Sequence, residues 1–410
     1  MNPNSLNSTP SANRIHIGFF GRRNSGKSSL LNAFTGQEVA IVSAQAGTTT
    51  DPVSKAMEVK GLGPTLLIDT AGFDDEGQLG AQRVQKTEAM AQRVDVALIL
   101  VAAPRLVPFK AQDLDLERQW AAKFAAQKTP VLWVISQSDS VEPEPLRENL
   151  AAFKEELGGA PLPVSLVDPQ SIAALRQRVA QLNLGGQEAS ILGDLVSSGD
   201  CVLLVMPQDI QAPQGRLILP QVQTIRELLD RRCLVMATTF DQLPQSLKAL
   251  AAPPQLIVTD SQVFDKVYKL KPAASRLTSF SVLFANYKGD LAYYLAGAEE
   301  LERLTPQARI LIAECCTHVP LQEDIGRVQL PRLLRQRLGE GIRLETVSGA
   351  NFPEDLRPYD LIIQCGGCMF NRQHVLSRLE RARQQGVPMS NYGVIIAKLK
   401  GILPFIALPH

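Results

Sequence analysis

Two short segments carry residues whose types and spacing could do chemistry. In GRRNSGKSS, Gly21, Gly26, Lys27 and Ser28 have the spacing of a phosphate-binding loop. Glycine there lets backbone N–H groups turn inward on the phosphates, Lys27 reaches the β and γ oxygens, and Ser28 can ligate Mg2+. Ser25 and Ser29 complete the set of expected phosphate-loop contacts. Downstream, TLLIDTAG ends a strand on Asp69, where a carboxylate can hold Mg2+ through water, and Gly72 is placed to present its amide to the γ-phosphate. The second segment is CGGC, Cys365 to Cys368, with Cys316 and His318 in a Cys-Thr-His triplet before it. Three thiolates and an imidazole suit zinc as well as an iron–sulfur cluster, and spacing alone does not separate them. Glycines between the thiols let the backbone curl around a bound centre and donate N–H groups to sulfur.

The elements around these segments form a pattern. RIHIGFF reads as a buried strand before the loop, with a helix after it that Gly36 ends. VSKAMEV and TLLID flank the turn GLGP as a hairpin. A helix near Gln82 to Arg93, the strand VDVALILV, a helix near Leu114 to Gln127 and the strand VLWVIS follow. Such alternation indicates a doubly wound α/β domain over residues 14–182, after a polar tail at 1–13. NLGGQEAS lies in an expected linker, 183–192. Beyond it, CVLLVMP, CLVMATT and QLIVTD alternate with helices in a unit without a phosphate loop, 193–270, whose job should be structural. A third unit, 271–410, is expected to open with SFSVLFA as a strand and to include a helix near Gly326 to Leu338. There RILIAEC and DLIIQC lead into the two thiol groups, so both sit just past strand ends. In a parallel sheet those ends share one edge, where the groups can converge. Cys315 is expected to point the other way and pack, as are Cys201 and Cys233 in the middle unit.

Composition bounds the partners. The chain has 410 residues, 45% of them hydrophobic and 20% charged, with 42 basic against 41 acidic side chains. So small a net charge does not favour nucleic acid as partner, and no apolar run is long enough to span a bilayer. A cytoplasmic location is expected from the polar start, which lacks the features of a signal peptide, and from only six cysteines.

The first part resembles the G domain of bacterial GTPases related to Era and TrmE. That resemblance implies GTP and Mg2+ as ligands, Thr49 in GTTTD as the magnesium-binding switch threonine, and Lys27, Thr49 and Gly72 as the catalytic groups. It maps the base-recognition motif onto Ser136, Gln137, Ser138 and Asp139, of which only the aspartate is kept. Asp139 can still accept hydrogen bonds from guanine N1 and N2. With the motif's asparagine and lysine gone, their structural hydrogen bonds and base cover are expected to be lost, weakening binding. Phe73 stands where many GTPases have a glutamine, and Asn24 matches an asparagine that holds K+ in proteins similar to TrmE. Slow turnover, faster in K+ than in Na+, is the expectation.

The whole chain resembles the HydF family, GTPase maturases of di-iron hydrogenase, through QDIQAPQGRLILPQVQTIRELLD, SFSVLFANYKGD, NFPEDL, CGGCMFNR and NYGVIIAKLKGIL. The family implies a 4Fe-4S cluster on Cys316, Cys365 and Cys368, with an open or exchangeable fourth position at which His318 is the candidate ligand. It also implies a homodimer formed through 193–270, cluster binding by 271–410, and delivery of a di-iron precursor, built by the maturases HydE and HydG, to apo-hydrogenase. The family's usual His before Cys-x-x-Cys is Gln364 here, a poor iron ligand. The alternative is a TrmE- or Era-like RNA-associated GTPase with a structural zinc site.

Overall fold

The computed structural model describes residues 10–35, 53–75, 77–182, 190–206, 217–315, 325–349 and 351–410. Thr49, Cys316 and His318 lie outside them. The chain divides into two compact units, Met1–Gly186 and Gln187–His410. Among the described residues no helix is long and apolar enough to cross a membrane.

The first unit is an α/β domain on a six-stranded sheet. Its strands are β1 (Ile15–Gly21), β2 (Val53–Val59), β3 (Gly63–Asp69), β4 (Val96–Ala102), β5 (Val131–Ser136) and β6 (Leu162–Pro163), in the order β2-β3-β1-β4-β5-β6. Only β2 runs antiparallel, paired to β3 as the expected hairpin; the other pairings are parallel. β1 and β4 are apolar along their length because helices cover both faces of a parallel sheet. One face packs Ile17, Phe19 and Leu67 against Leu30 and Phe34 of the helix Lys27–Thr35. The other gathers Phe20, Phe73, Trp120 and Phe124. This sheet puts the end of β1 beside the end of β3, with Phe19 opposite Asp69, so the glycine-rich loop after β1 and the Asp69 carboxylate emerge side by side.

The second unit holds two four-stranded, all-parallel sheets. The first contains β7 (Cys201–Val205), β8 (Leu234–Thr238), β9 (Leu256–Thr259) and β10 (Arg276–Ser279), ordered β10-β9-β7-β8. The second contains β11 (Arg309–Ala313), β12 (Arg343–Val347), β13 (Leu361–Gln364) and β14 (Met389–Asn391), ordered β12-β11-β13-β14. One continuous core joins them, with Leu203 and Ile257 from the first sheet and Leu311 and Ile363 from the second.

Three expectations change here. The segment expected to open a third unit instead completes the middle sheet: Arg276–Ser279 pairs with β9, and the apolar run Phe280–Lys288 is helix, not strand. The Ser279 hydroxyl caps it by accepting from the Val282 N–H, and a short apolar run has no periodicity to distinguish the two states. The linker also ends earlier than residue 192, because Ile191 and Leu192 are buried in the core of the second unit and the Ile191 N–H is held by Glu227. Gly326 lies in a single π-type turn, Ile325–Gln329, and the α-helix begins at Leu330.

Candidate functional site

The nucleotide site is built from the turn between β1 and the helix Lys27–Thr35. Lys27 is buried, and its Nζ donates to the carbonyls of Gly21 at 3.1 Å and Arg22 at 2.7 Å. Burial pulls its pKa down, while Asp69 opposes that shift. Ser28 Oγ donates to Asp69 Oδ2 at 2.5 Å, which brings the two expected Mg2+ groups into contact. The other carboxylate oxygen, Asp69 Oδ1, is buried with no partner among the described residues, and burial raises the Asp69 pKa. A desolvated carboxylate beside a hydroxyl is a donor set that a hard divalent cation fits. Gly72 closes over the loop: a Cβ there would meet the Arg23 amide nitrogen at 2.8 Å, so only glycine permits the approach. The Phe73 N–H then donates to the Gly21 carbonyl at 3.2 Å.

The phosphate loop is braced from several sides. Arg22 forms a bidentate pair with Glu117, at 2.8 and 3.2 Å, and that carboxylate is 1% exposed. Asp74 accepts from the Arg23 N–H at 2.7 Å. Two further braces replace what the degenerate base motif was expected to lose. Ser136 Oγ donates to the Ser25 carbonyl at 2.7 Å, and Gln137 Nε2 donates to the Asn24 carbonyl at 3.0 Å. The structural hydrogen bonds are therefore kept by different side chains. Sequence spacing could not show this, because the partners lie over a hundred residues apart. Asn24 takes φ 58°, and Gln137 φ 55°, so both bend the backbone at the contact. Ser25 Oγ is buried without a partner among the described residues. Ser29 follows in the first turn of the helix and is exposed. Asp139 is exposed, its pKa held down by a hydrogen bond from the Ser165 hydroxyl. Phe73 stacks on Trp120, with centroids 4.5 Å apart at 11°, so its ring belongs to the core and cannot orient a water.

The thiol site lies in the second unit. β11 and β13 are neighbours in parallel register, with Ala313 opposite Gln364, so the segments after them start side by side. The Cys365 N–H continues the ladder to the Ala313 carbonyl at 3.0 Å. The Cys315 N–H donates to Cys365 Sγ at 3.1 Å. Cys315 does not point away as expected: its thiol hydrogen-bonds to the Cys365 sulfur, which raises the Cys315 pKa well above its usual value and lowers that of Cys365. The Gly367 N–H also favours the Cys365 thiolate. Gly367 has φ 65°, and a Cβ there would lie 2.8 Å from Val375 Cγ2, so the turn needs glycine.

Cys365 and Cys368 are half-buried, and Cys315 is buried. Among the described residues no group of three or more metal-ligating side chains is gathered, and Cys316 and His318 lie outside them. A Cys365 sulfur served by backbone N–H donors, with Cys368 at the other end of its turn and a buried ammonium nearby, is a soft donor set in a cationic surround. That chemistry fits an iron–sulfur cluster. The ammonium is Lys288, 2% exposed, which sequence reading missed because nothing in NYKGD marks it. Gln364, where the family pattern has histidine, is 1% exposed, and neither polar atom of its amide has a partner among the described residues. Of the other cysteines, Cys233 is buried and bonds to the Ser197 carbonyl at 3.4 Å, and Cys201 opens β7 half-buried.

Comparison with known proteins follows this division. Residues 16–137 match the 50S ribosome-binding GTPase family. The hydrogen maturase F dimerization domain matches 191–289 and the hydrogen maturase F tetramerization domain matches 292–407, which together span more than half of the chain. The chain belongs to the hydrogen maturase F family. Within it, the GTPase domain is similar to GTPase Der of Sulfurimonas denitrificans, 37% identical over 31% of this chain and 25% of that protein. It is also similar to the tRNA modification GTPase MnmE of Nitrosomonas europaea, 34% identical over 44% of this chain and 37% of that protein. The chain thus spans less than half the length of these curated relatives. Among solved structures, a variant of Aquifex aeolicus Era bound to GDP.AlF4- covers 58% of this chain and 98% of its own, with a TM-score of 0.34 and 16% identity. The chain thus joins a segment matched to a GTPase family with two segments matched to domains described as dimerization and tetramerization domains. The last segment, expected for cluster binding, is also the one matched to tetramerization.

Proposed function

We propose that this chain hydrolyses GTP slowly, holds a 4Fe-4S cluster through Cys316, Cys365 and Cys368, and carries a di-iron precursor from HydE and HydG to apo-hydrogenase. The observation that carries the reading is the parallel pairing of β11 with β13, which starts both thiol segments at one sheet edge. The cluster would supply an exchangeable iron or sulfide position at which the precursor is anchored. His318 is a candidate for the fourth ligand; Gln364 is a poor one.

At the nucleotide site, Lys27 exchanges its two carbonyl partners for phosphate oxygens, and Ser28 and Asp69 separate to admit Mg2+. Because Phe73 is stacked in the core, water activation falls to other groups, with K+ held at Asn24 as the proposed aid. Thr49 and Gly72, which contact the γ-phosphate in this reading, would report hydrolysis to the switch segments and time the exchange of partners. Homodimerization is assigned to the edge strand β8, which among the described residues pairs with β7 alone and exposes Leu234, together with the exposed Val222 and Leu229 of the helix Leu219–Asp230.

Anaerobic purification decides between cluster and zinc. The expected protein is brown, contains iron and sulfide, and gives a cluster EPR signal on reduction; Cys365→Ser and Cys368→Ser lose the iron. A colourless, zinc-loaded chain would refute the carrier reading.

A further inference from the structure

Lys288 ends the helix Phe280–Lys288, at the point where that helix meets the cysteine turn. Its Nζ donates to two main-chain carbonyls, Gly367 at 2.9 Å and Phe370 at 2.7 Å, which bracket Cys368. The preceding carbonyl, Tyr287, accepts from Arg372 at 3.1 Å, so the end of one helix grips both the turn and the start of the helix after it. Among the described residues no carboxylate is found among the charges acting on Lys288; those that favour its ammonium are Cys368, Cys315 and Cys365. Burial lowers its pKa to about 8. Placing an ammonium here is costly, and two carbonyl contacts could be met by a neutral amide. A positive charge is useful where the thiolates and what they hold are negative.

We propose that Lys288 is a positioning residue for the iron–sulfur centre: its ammonium holds the Gly367–Phe370 turn so that Cys365 and Cys368 face one guest, and its charge stabilises that guest's reduced state. This inference rests on the cluster reading above. A second buried cation supports it. Arg378, 1% exposed, lies over the Phe370 ring at 4.7 Å and donates to the Gly349 carbonyl. Both cations come from helices packed on the turn, so the positive surround is part of the fold, independent of the ligands.

The test uses the full chain, purified anaerobically and reconstituted with iron and sulfide, as wild type, Lys288→Met, Lys288→Gln and Lys288→Arg. Iron content, the rate of iron loss to a chelator and the midpoint potential from an EPR-monitored titration are read for each. Lys288→Met should lose iron about tenfold faster or more, the range seen when groups supporting metal ligands are removed, with a more negative potential. Lys288→Gln should keep more of the iron yet show the same direction of potential shift, and Lys288→Arg should restore the potential. If Met does not fold, the Gln and Arg pair still separates geometry from charge. Equal potentials and equal release rates across the series overturn the inference while leaving the cluster intact. A wild-type chain that takes up no iron overturns the cluster reading and this inference with it.

Discussion

Replacing Ser136 with alanine tests whether the altered base motif still braces the nucleotide loop. Ser136 is 5% exposed, and its hydroxyl donates to the Ser25 carbonyl at 2.7 Å and, at 3.4 Å, to Val101. Removing the donor takes a hydrogen bond from a buried acceptor, with a penalty of about 1–3 kcal/mol. The loop that is loosened is the loop that binds the phosphates, so part of this cost should appear in affinity. A loss of about 1–2 kcal/mol corresponds to GDP binding weaker by about 5- to 30-fold. Both tryptophans, Trp120 and Trp133, lie in the first unit, so urea unfolding followed by their fluorescence reports on that unit within the full chain. Calorimetric titration with GDP gives the affinity. Gln137→Ala, whose contact with Asn24 is solvent-exposed, should cost less, and Ser136→Asn should preserve the brace. An alanine variant with unchanged unfolding midpoint and unchanged GDP affinity would refute the reasoning.

Three other outcomes follow from the same geometry. Asp69→Asn should abolish Mg2+-dependent hydrolysis yet raise the thermal midpoint of the nucleotide-free protein at neutral pH. The sign follows from burial raising the Asp69 pKa: its favourable contribution is present below the unfolded pKa and is lost as pH rises through the folded one, so the charge is a cost at pH 7. The gain of Asn over Asp should therefore shrink as pH falls; a gain that grows in acid contradicts it. Leu234→Lys, a charge on an apolar edge position that is 65% exposed, should lower the mass seen by light scattering, with GTP turnover by the first unit unchanged. Turnover in wild type should be faster in KCl than in NaCl, and Asn24→Ala should remove the difference; equal wild-type rates in the two salts exclude Asn24 from the mechanism.

How much of this is legible in the sequence depends on the range of the interaction. The phosphate loop, the β2–β3 hairpin and the Asp69 strand end are written in contiguous residues, where glycine spacing and apolar runs report local backbone needs directly. The helix at Phe280 escapes a sequence reading because a short apolar run between two folded elements carries no period, and the Ser279 cap is the one local signal. Cys315 escapes it because neighbours in sequence are expected to point to opposite sides past a strand end. There the strand rule no longer applies, and the hydrogen bond to Cys365 turns it inward.

Sequence by itself therefore determined the chemical vocabulary of the molecule: a lysine, a hydroxyl and a carboxylate in the pattern of a phosphate-binding loop and its strand end, and thiols spaced by glycine in the pattern of metal ligands. Tertiary structure decided which side chains support that chemistry. Ser136 and Gln137 brace a loop encoded more than a hundred residues earlier, and Lys288 closes on a turn encoded some eighty residues later. Such partners are selected by strand order and helix packing, which bring carbonyls from distant segments within reach of a donor. A hydrogen bond to a backbone carbonyl leaves no side-chain signature at its acceptor, and so nothing in the residue pattern announces it.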